Sequence, residues 1–206
     1  MTGLQKLGCI SVAVLCFVSC VGGGGTDTET GGTNISGIIV SSDGHPAMGV
    51  RTMLIPSSFN PLALCRLGDS LIDTTDADGR YSFHVDSGVY NIQALHAGDG
   101  TRLFLAGIRA NSPDVALPMD TLKLPGKIKV SLDTELTTQG GFVYLVGSTV
   151  KTSFAKGAAS AVLDSVPLGN YPEVRFTESD SCNFLILYKN VPVDTPESIV
   201  DLPDSI

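Results

Sequence analysis

The shortest pattern in the chain with catalytic potential is a serine three residues ahead of a lysine, Ser148-Thr149-Val150-Lys151. Where that spacing is used for hydrolysis, the lysine takes the serine proton and the hydroxyl attacks a carbonyl. The companion motifs of that chemistry are missing here, and so is any Gly-x-Ser-x-Gly elbow. A cryptic hydrolase resting on Ser148 and Lys151 is therefore the least favoured reading. Asp76-Ala77-Asp78-Gly79 invites calcium, but an EF-hand loop would then start at Thr74 and end at Val85, where a carboxylate must ligate. A tight turn accounts for it better. His45, His84 and His96 are the only histidines, and none stands in a His-x-x-Glu or His-Glu-x-x-His arrangement. His45 falls in a turn and His84 on the expected outer face of a strand, so surface positions are expected. No catalytic residue, metal ligand or cofactor site is read from these residues.

Cysteine chemistry is better placed. Lys6 precedes an apolar run, Leu7 to Val18, long enough for a signal-peptide core and too short to cross a ~30 Å hydrocarbon layer as a helix. Phe17-Val18-Ser19-Cys20 follows at once. It resembles the bacterial lipobox, with Phe17 where leucine is usual. The resemblance implies acylation of the Cys20 thiol, palmitate among the added chains, and cleavage just before it. One acyl chain holds a protein only marginally, so several are implied. Residues 1–19 are thus expected to be a lipoprotein signal peptide. Residues 20–33, rich in Gly and Thr, read as a flexible tether with nothing to seed a core. Cys9 and Cys16 would be discarded with the leader. Cys65 and Cys182 would meet an oxidising compartment; a disulfide between them stays open, with two separately packed thiols preferred.

Composition narrows the partners. The formal net charge is −8, and losing residues 1–19, whose only charged side chain is Lys6, makes it one unit more negative. An acidic chain without a Lys/Arg cluster repels phosphate backbones, which excludes nucleic acid as a partner. Hydrophobic residues make up 43% and charged ones only 17%, with 23 glycines. Core material is plentiful, while no long stretch carries a capped 3.6-residue apolar period.

Period-two alternation with turn chemistry between short runs points instead to an all-β fold. Strands are expected at Ile35–Val40, Gly49–Ile55 and Leu71–Thr75. Another follows where Tyr81, Phe83 and Val85 alternate with Ser82 and His84, and the next where Tyr90, Ile92 and Ala94 alternate with Asn91 and Gln93. Arg102–Arg109 completes the set. After an expected linker at Met119–Pro125, the pattern recurs with Ile128, Val130 and Leu132. Phe142–Val146 reads as a buried-type strand, Ala161–Leu163 as another and Phe184–Tyr188 as the last. Gly88-Val89-Tyr90 is echoed by Gly169-Asn170-Tyr171. Two small antiparallel β-sandwiches of prealbumin or Ig-like type are expected, at 34–112 and 121–190, with an acidic, Pro-containing tail at 191–206 that reads as a disordered end or a linker.

Segment 35–110 resembles the carboxypeptidase regulatory-like domain family, a transthyretin-like sandwich grouped with carbohydrate-binding-like folds. The resemblance is carried by ISGIIV, SDGHPAMGVRTMLI, TDADGRYSFHV and GVYNIQA, in that order. Segment 121–190 looks like a diverged second copy, mainly through LDSVPLGNY, and it lacks the Asp-x-x-Gly hairpin. The family implies an accessory, non-catalytic module. The expected function is an exported lipoprotein, membrane-anchored in the bacterial cell envelope at the outer membrane, serving as a structural or interaction module. A polysaccharide-binding accessory module is the alternative, with a polysaccharide or an envelope protein as partner. Against a flat sugar platform stand the lack of Trp and the placement of all five tyrosines in or beside strands. Recognition through the insertion Pro56 to Ser70 stays open.

Overall fold

The computed structural model describes residues 32–62, 72–133, 137–178, 183–196 and 199–202. The expectations for residues 1–31, Cys20, Cys65 and Cys182 lie outside these residues. No helix occurs among the described residues, and the chain is all-β. Gly31–Ile206 forms one compact unit.

The first half holds β1 (Thr33–Val40), β2 (Arg51–Pro56), β3 (Ile72–Thr74), β4 (Arg80–Val85), β5 (Gly88–Leu95), β6 (Arg102–Ala110), β7 (Asp114–Ala116) and β8 (Asp120–Thr121). One sheet runs β4-β1-β7 with β8 also on β1, and the facing sheet runs β3-β2-β5-β6. The alternation in β4 is met side chain by side chain. Tyr81, Phe83 and Val85 point inward, and Ser82 and His84 outward. These close on Ile35, Ile39, Leu54 and Ile92 in one core. The Asp76–Gly79 turn delivers β4 into place. The Asp76 carboxylate accepts the amides of Asp78 and Arg80 at 2.9 and 2.8 Å. Gly79 sits at φ +73° with the Ile39 carbonyl where a Cβ would project, so glycine is required there.

The second half holds β9 (Gly126–Ser131), β10 (Gly141–Leu145), β11 (Lys151–Phe154), β12 (Ser160–Val166), β13 (Gly169–Thr177), β14 (Leu185–Val193) and β15 (Ile199–Leu202). Its sheets run β12-β9-β15 and β11-β10-β13-β14. Ile128, Val130, Val143, Leu145, Leu163 and Val174 are wholly buried between them. β14 is an edge strand. It opens beside exposed Phe184, Leu185 and Ile186, loses register against β13 at Val174/Arg175, and carries Asn190 at φ +54°.

Three boundaries differ from the sequence expectation. The first sandwich does not stop at residue 112, because β7 and β8 return to pair with β1. The expected linker Met119–Pro125 supplies β8 and then Leu122, which is 1% exposed in the first core. The expected tail from 191 begins as the end of β14, with Val191 and Val193 buried, and later forms β15, whose Val200 and Leu202 pack on the second core. In each case a few apolar side chains among acids and prolines were enough; Asp114, Asp194 and Asp201 take exposed positions, and Asp120 a half-buried one. The terminal strands also run parallel to their partners: β7 and β8 to β1, and β15 to β9.

Candidate functional site

The residues singled out for chemistry are not brought together. Ser148 is fully buried in the turn between β10 and β11, where its hydroxyl donates to the Leu145 carbonyl at 3.0 Å and accepts the Val150 amide at 3.1 Å. Lys151 donates from Nζ to the Pro61 carbonyl at 2.9 Å. The serine pins a turn and the lysine pins a loop. His45 and His84 are exposed, as expected. His96 Nδ1 lies 2.9 Å from Asp99 Oδ1. The Thr101 hydroxyl and amide, and then His96, hold the Asp99 carboxyl down at about 2. Among the described residues no group of three His, Cys, Asp or Glu side chains converges as a metal site.

A groove of about 500 Å³ lies along the outer face of the β4-β1-β7 sheet, lined by Ser36, Ile38, Asp73, Arg80, Ser82 and Leu117 among others. Its two acids are already occupied: Asp73 accepts the Ser82 amide through Oδ2 and the Thr74 amide through Oδ1, both at 2.8 Å, and Asp76 holds the turn amides of Asp78 and Arg80.

Polar side chains concentrate where one sandwich meets the other. Asn91 and Gln93 stand on β5 pointing away from the first core, in the positions that alternation assigns to solvent. Each is only 2% exposed. Asn91 donates from Nδ2 to the Gly147 carbonyl at 2.8 Å and accepts the Gly107 amide at 3.0 Å. Gln93 Oε1 accepts both the amide and the hydroxyl of Thr149, at 3.0 and 3.1 Å. The Gly147 amide completes the pattern by donating to the Phe59 carbonyl at 2.8 Å. Gly147 is at φ +71°, and its missing Cβ leaves room for the Asn91 amide and the Ser57 carbonyl. Asn91, with both ends of its buried amide satisfied, and Gln93, whose Oε1 accepts twice, favour one geometry, because a slip leaves polar groups unpaired away from water.

Apolar contacts flank this network. Phe104 of β6 stacks on Tyr171 of β13 with ring centroids 4.7 Å apart, and belongs to the second core rather than its own. Burial raises the Tyr171 hydroxyl well above the usual phenol range, and that hydroxyl donates to the Pro167 carbonyl at 2.8 Å. Leu62 packs on Tyr144 and Val146 with Phe142 beside them, which accounts for the unbroken apolar run of β10. The first part of the insertion expected from Pro56 is thus spent on this seam, while residues 63–71 fall outside the described residues. Nothing in the sequence marks Asn91, Gln93 or Phe104. Their periodicity is the same whether water or a second sandwich covers them.

No family model matches the chain, and no curated protein matches it. Among solved structures it is similar to the Bacillus anthracis TIE protein, at 16% identity and a TM-score of 0.33, over 82% of this chain and 33% of that one. It is also similar to a Streptococcal ancillary pilin, at 16% identity and a TM-score of 0.33, over 86% of this chain and 63% of the pilin. A putative adhesin from Bacteroides ovatus matches at 14% identity and a TM-score of 0.31, over 90% and 95% of the two chains. The chain thus spans about a third of the first and under two thirds of the second. At these scores the likenesses carry no argument about activity or partner.

Proposed function

We propose that the chain is a non-catalytic structural module of the bacterial cell envelope, exported and held at a membrane through lipid on Cys20. The carboxypeptidase regulatory-like resemblance of 35–110 fits that reading. One structural observation supports it most: several polar side chains with chemical potential are committed to the protein's own backbone. Ser148 ties down a turn, Asp76 another, Lys151 a loop, and Asn91 and Gln93 the seam. An arrangement of this kind supplies rigidity and reach rather than a reacting group. Fractionation of cells producing Cys20→Ala tests the anchor. The unmutated protein should sediment with membranes and the variant should be soluble. A variant that still sediments, with an unacylated amino terminus by mass spectrometry, overturns the anchor.

A further inference from the structure

We propose that this module carries tension along its length, each sandwich being a shear clamp closed by its own first and last strands. The proposal rests on the structural-module reading and adds a mechanical function to it. Its ground is strand direction. When the first and last strands of a unit pair antiparallel as neighbours, both ends leave from the same edge, and a pull opens the hydrogen bonds one after another. When they pair parallel, the two ends leave from opposite edges. A pull then slides one strand along the other and strains all the bonds between them together.

Both sandwiches have the second arrangement. In the first, β1 takes the incoming pull and passes it to β7 and β8. Asn34–Ser36 pairs parallel with Asp114–Ala116, and Ile39–Val40 with Asp120–Thr121. The Asn34 amide donates to the Pro113 carbonyl at 2.7 Å, Leu117 to Ser36 at 2.8 Å, and Leu122 to Val40 at 2.9 Å. In the second, β9 takes the pull and β15 receives it, in register from Ile199 opposite Lys127 to Leu202 opposite Val130. Lys129 Nζ lies 3.5 Å from Asp201 Oδ1 across this clamp.

The two clamps are joined in series. Only Leu122, Lys123, Leu124 and Pro125 separate β8 from β9. That joint is not slack. Leu122 is plugged into the first core, and Lys123 exchanges backbone hydrogen bonds with Arg102 at 2.7 and 3.0 Å. Tension therefore runs through β1, β7, β8, β9 and β15. The remaining strands lie beside this path, and the Asn91–Gly147 and Gln93–Thr149 bonds keep the halves from folding about the joint.

The clamps differ in strength. The first has two parallel segments and a buried leucine behind them, whereas the second has one four-residue strand whose Val200 and Leu202 are only partly buried. The second should yield first.

Single-molecule pulling of the full mature chain from its two termini tests this. Two ruptures are expected, the earlier releasing roughly 25 nm of chain and the later roughly 30 nm. A second protein carries its outer handle at exposed Pro196 instead, which takes β15 out of the path and leaves its residues unchanged. An unaltered thermal midpoint confirms that this protein is folded. The roughly 25 nm rupture should then occur at half its former force or less, with the other unchanged. Equal force for that rupture in both geometries overturns the proposal, as does first release of the roughly 30 nm unit. Neither result bears on whether Cys20 is acylated, so the anchor and the clamp fail independently.

Discussion

The two sandwiches share an architecture but not their dependence on each other. The core of the first is assembled from residues of its own segment, Ile35 through Leu122. The core of the second takes in Phe104, a residue of the first, stacked on Tyr171. Its β10 strand also has its second face covered by Leu62 from the first sandwich's loop. The comparison teaches that a repeated fold need not mean repeated autonomy. The first half carries what it needs to close, and the second is completed by its neighbour.

The largest expected effect follows from that borrowed ring. Phe104→Ala removes a buried aromatic and leaves a cavity in a core that is not its own, which should cost about 3–5 kcal/mol. Native-state hydrogen exchange should show faster opening at Val130 and Val143 of the second sandwich, with Ile35 and Ile92 of the first little changed. Equal acceleration in both halves would remove the asymmetry.

A middle effect is expected at the seam. Asn91→Ala leaves the Gly147 carbonyl without its donor and the Gly107 amide without its acceptor, at a cost of about 1–3 kcal/mol. The sharper readout is cooperativity. A single unfolding transition should broaden or split into two, the second sandwich melting first. A single transition shifted as a whole would mean that the apolar contacts alone couple the halves.

The smallest effect is confined to the first sandwich. The Asp99 carboxyl is held at about 2, below its ordinary 3.8, first by Thr101 and then by His96. A depressed carboxyl contributes its stability above the unfolded-state value and loses it as pH falls toward 2. Asp99 is about half exposed, so solvent screens most of the interaction. Asp99→Asn should flatten the fall in thermal midpoint between about pH 4 and pH 2 by only about 1–3 °C. A steeper fall in the variant would contradict the assignment.

How much of this could be read in advance depended on whether the signal was local. The Asp76–Gly79 turn and the alternation of β4 are written in adjacent residues, and both appear in place. The apolar run Phe142–Val146 announced a buried strand, without saying that the loop around Leu62 covers its second side. β8 and β15 were hidden because two and four residues are too few to show a period, and because their partners lie some 80 and 70 residues away in the chain. The seam was the least legible part. Asn91 and Gln93 satisfy the rule for a wetted strand face, and only the docking of a second sandwich turns them into buried groups bonded across the seam. Ser148 was visible as a motif and misleading as chemistry, since a hydroxyl that closes a turn has the same sequence appearance as one that attacks.

The left-handed backbone at Asn190 has a consequence for crowding. A straight, greasy margin would recruit neighbouring molecules strand upon strand, and Phe184, Leu185 and Ile186 offer the beginning of one. Farther along, the left-handed residue, the exposed Lys189 and the amide-less Pro192 deny a newcomer a continuous ladder. A second copy laid along this margin would thereby meet a broken ladder.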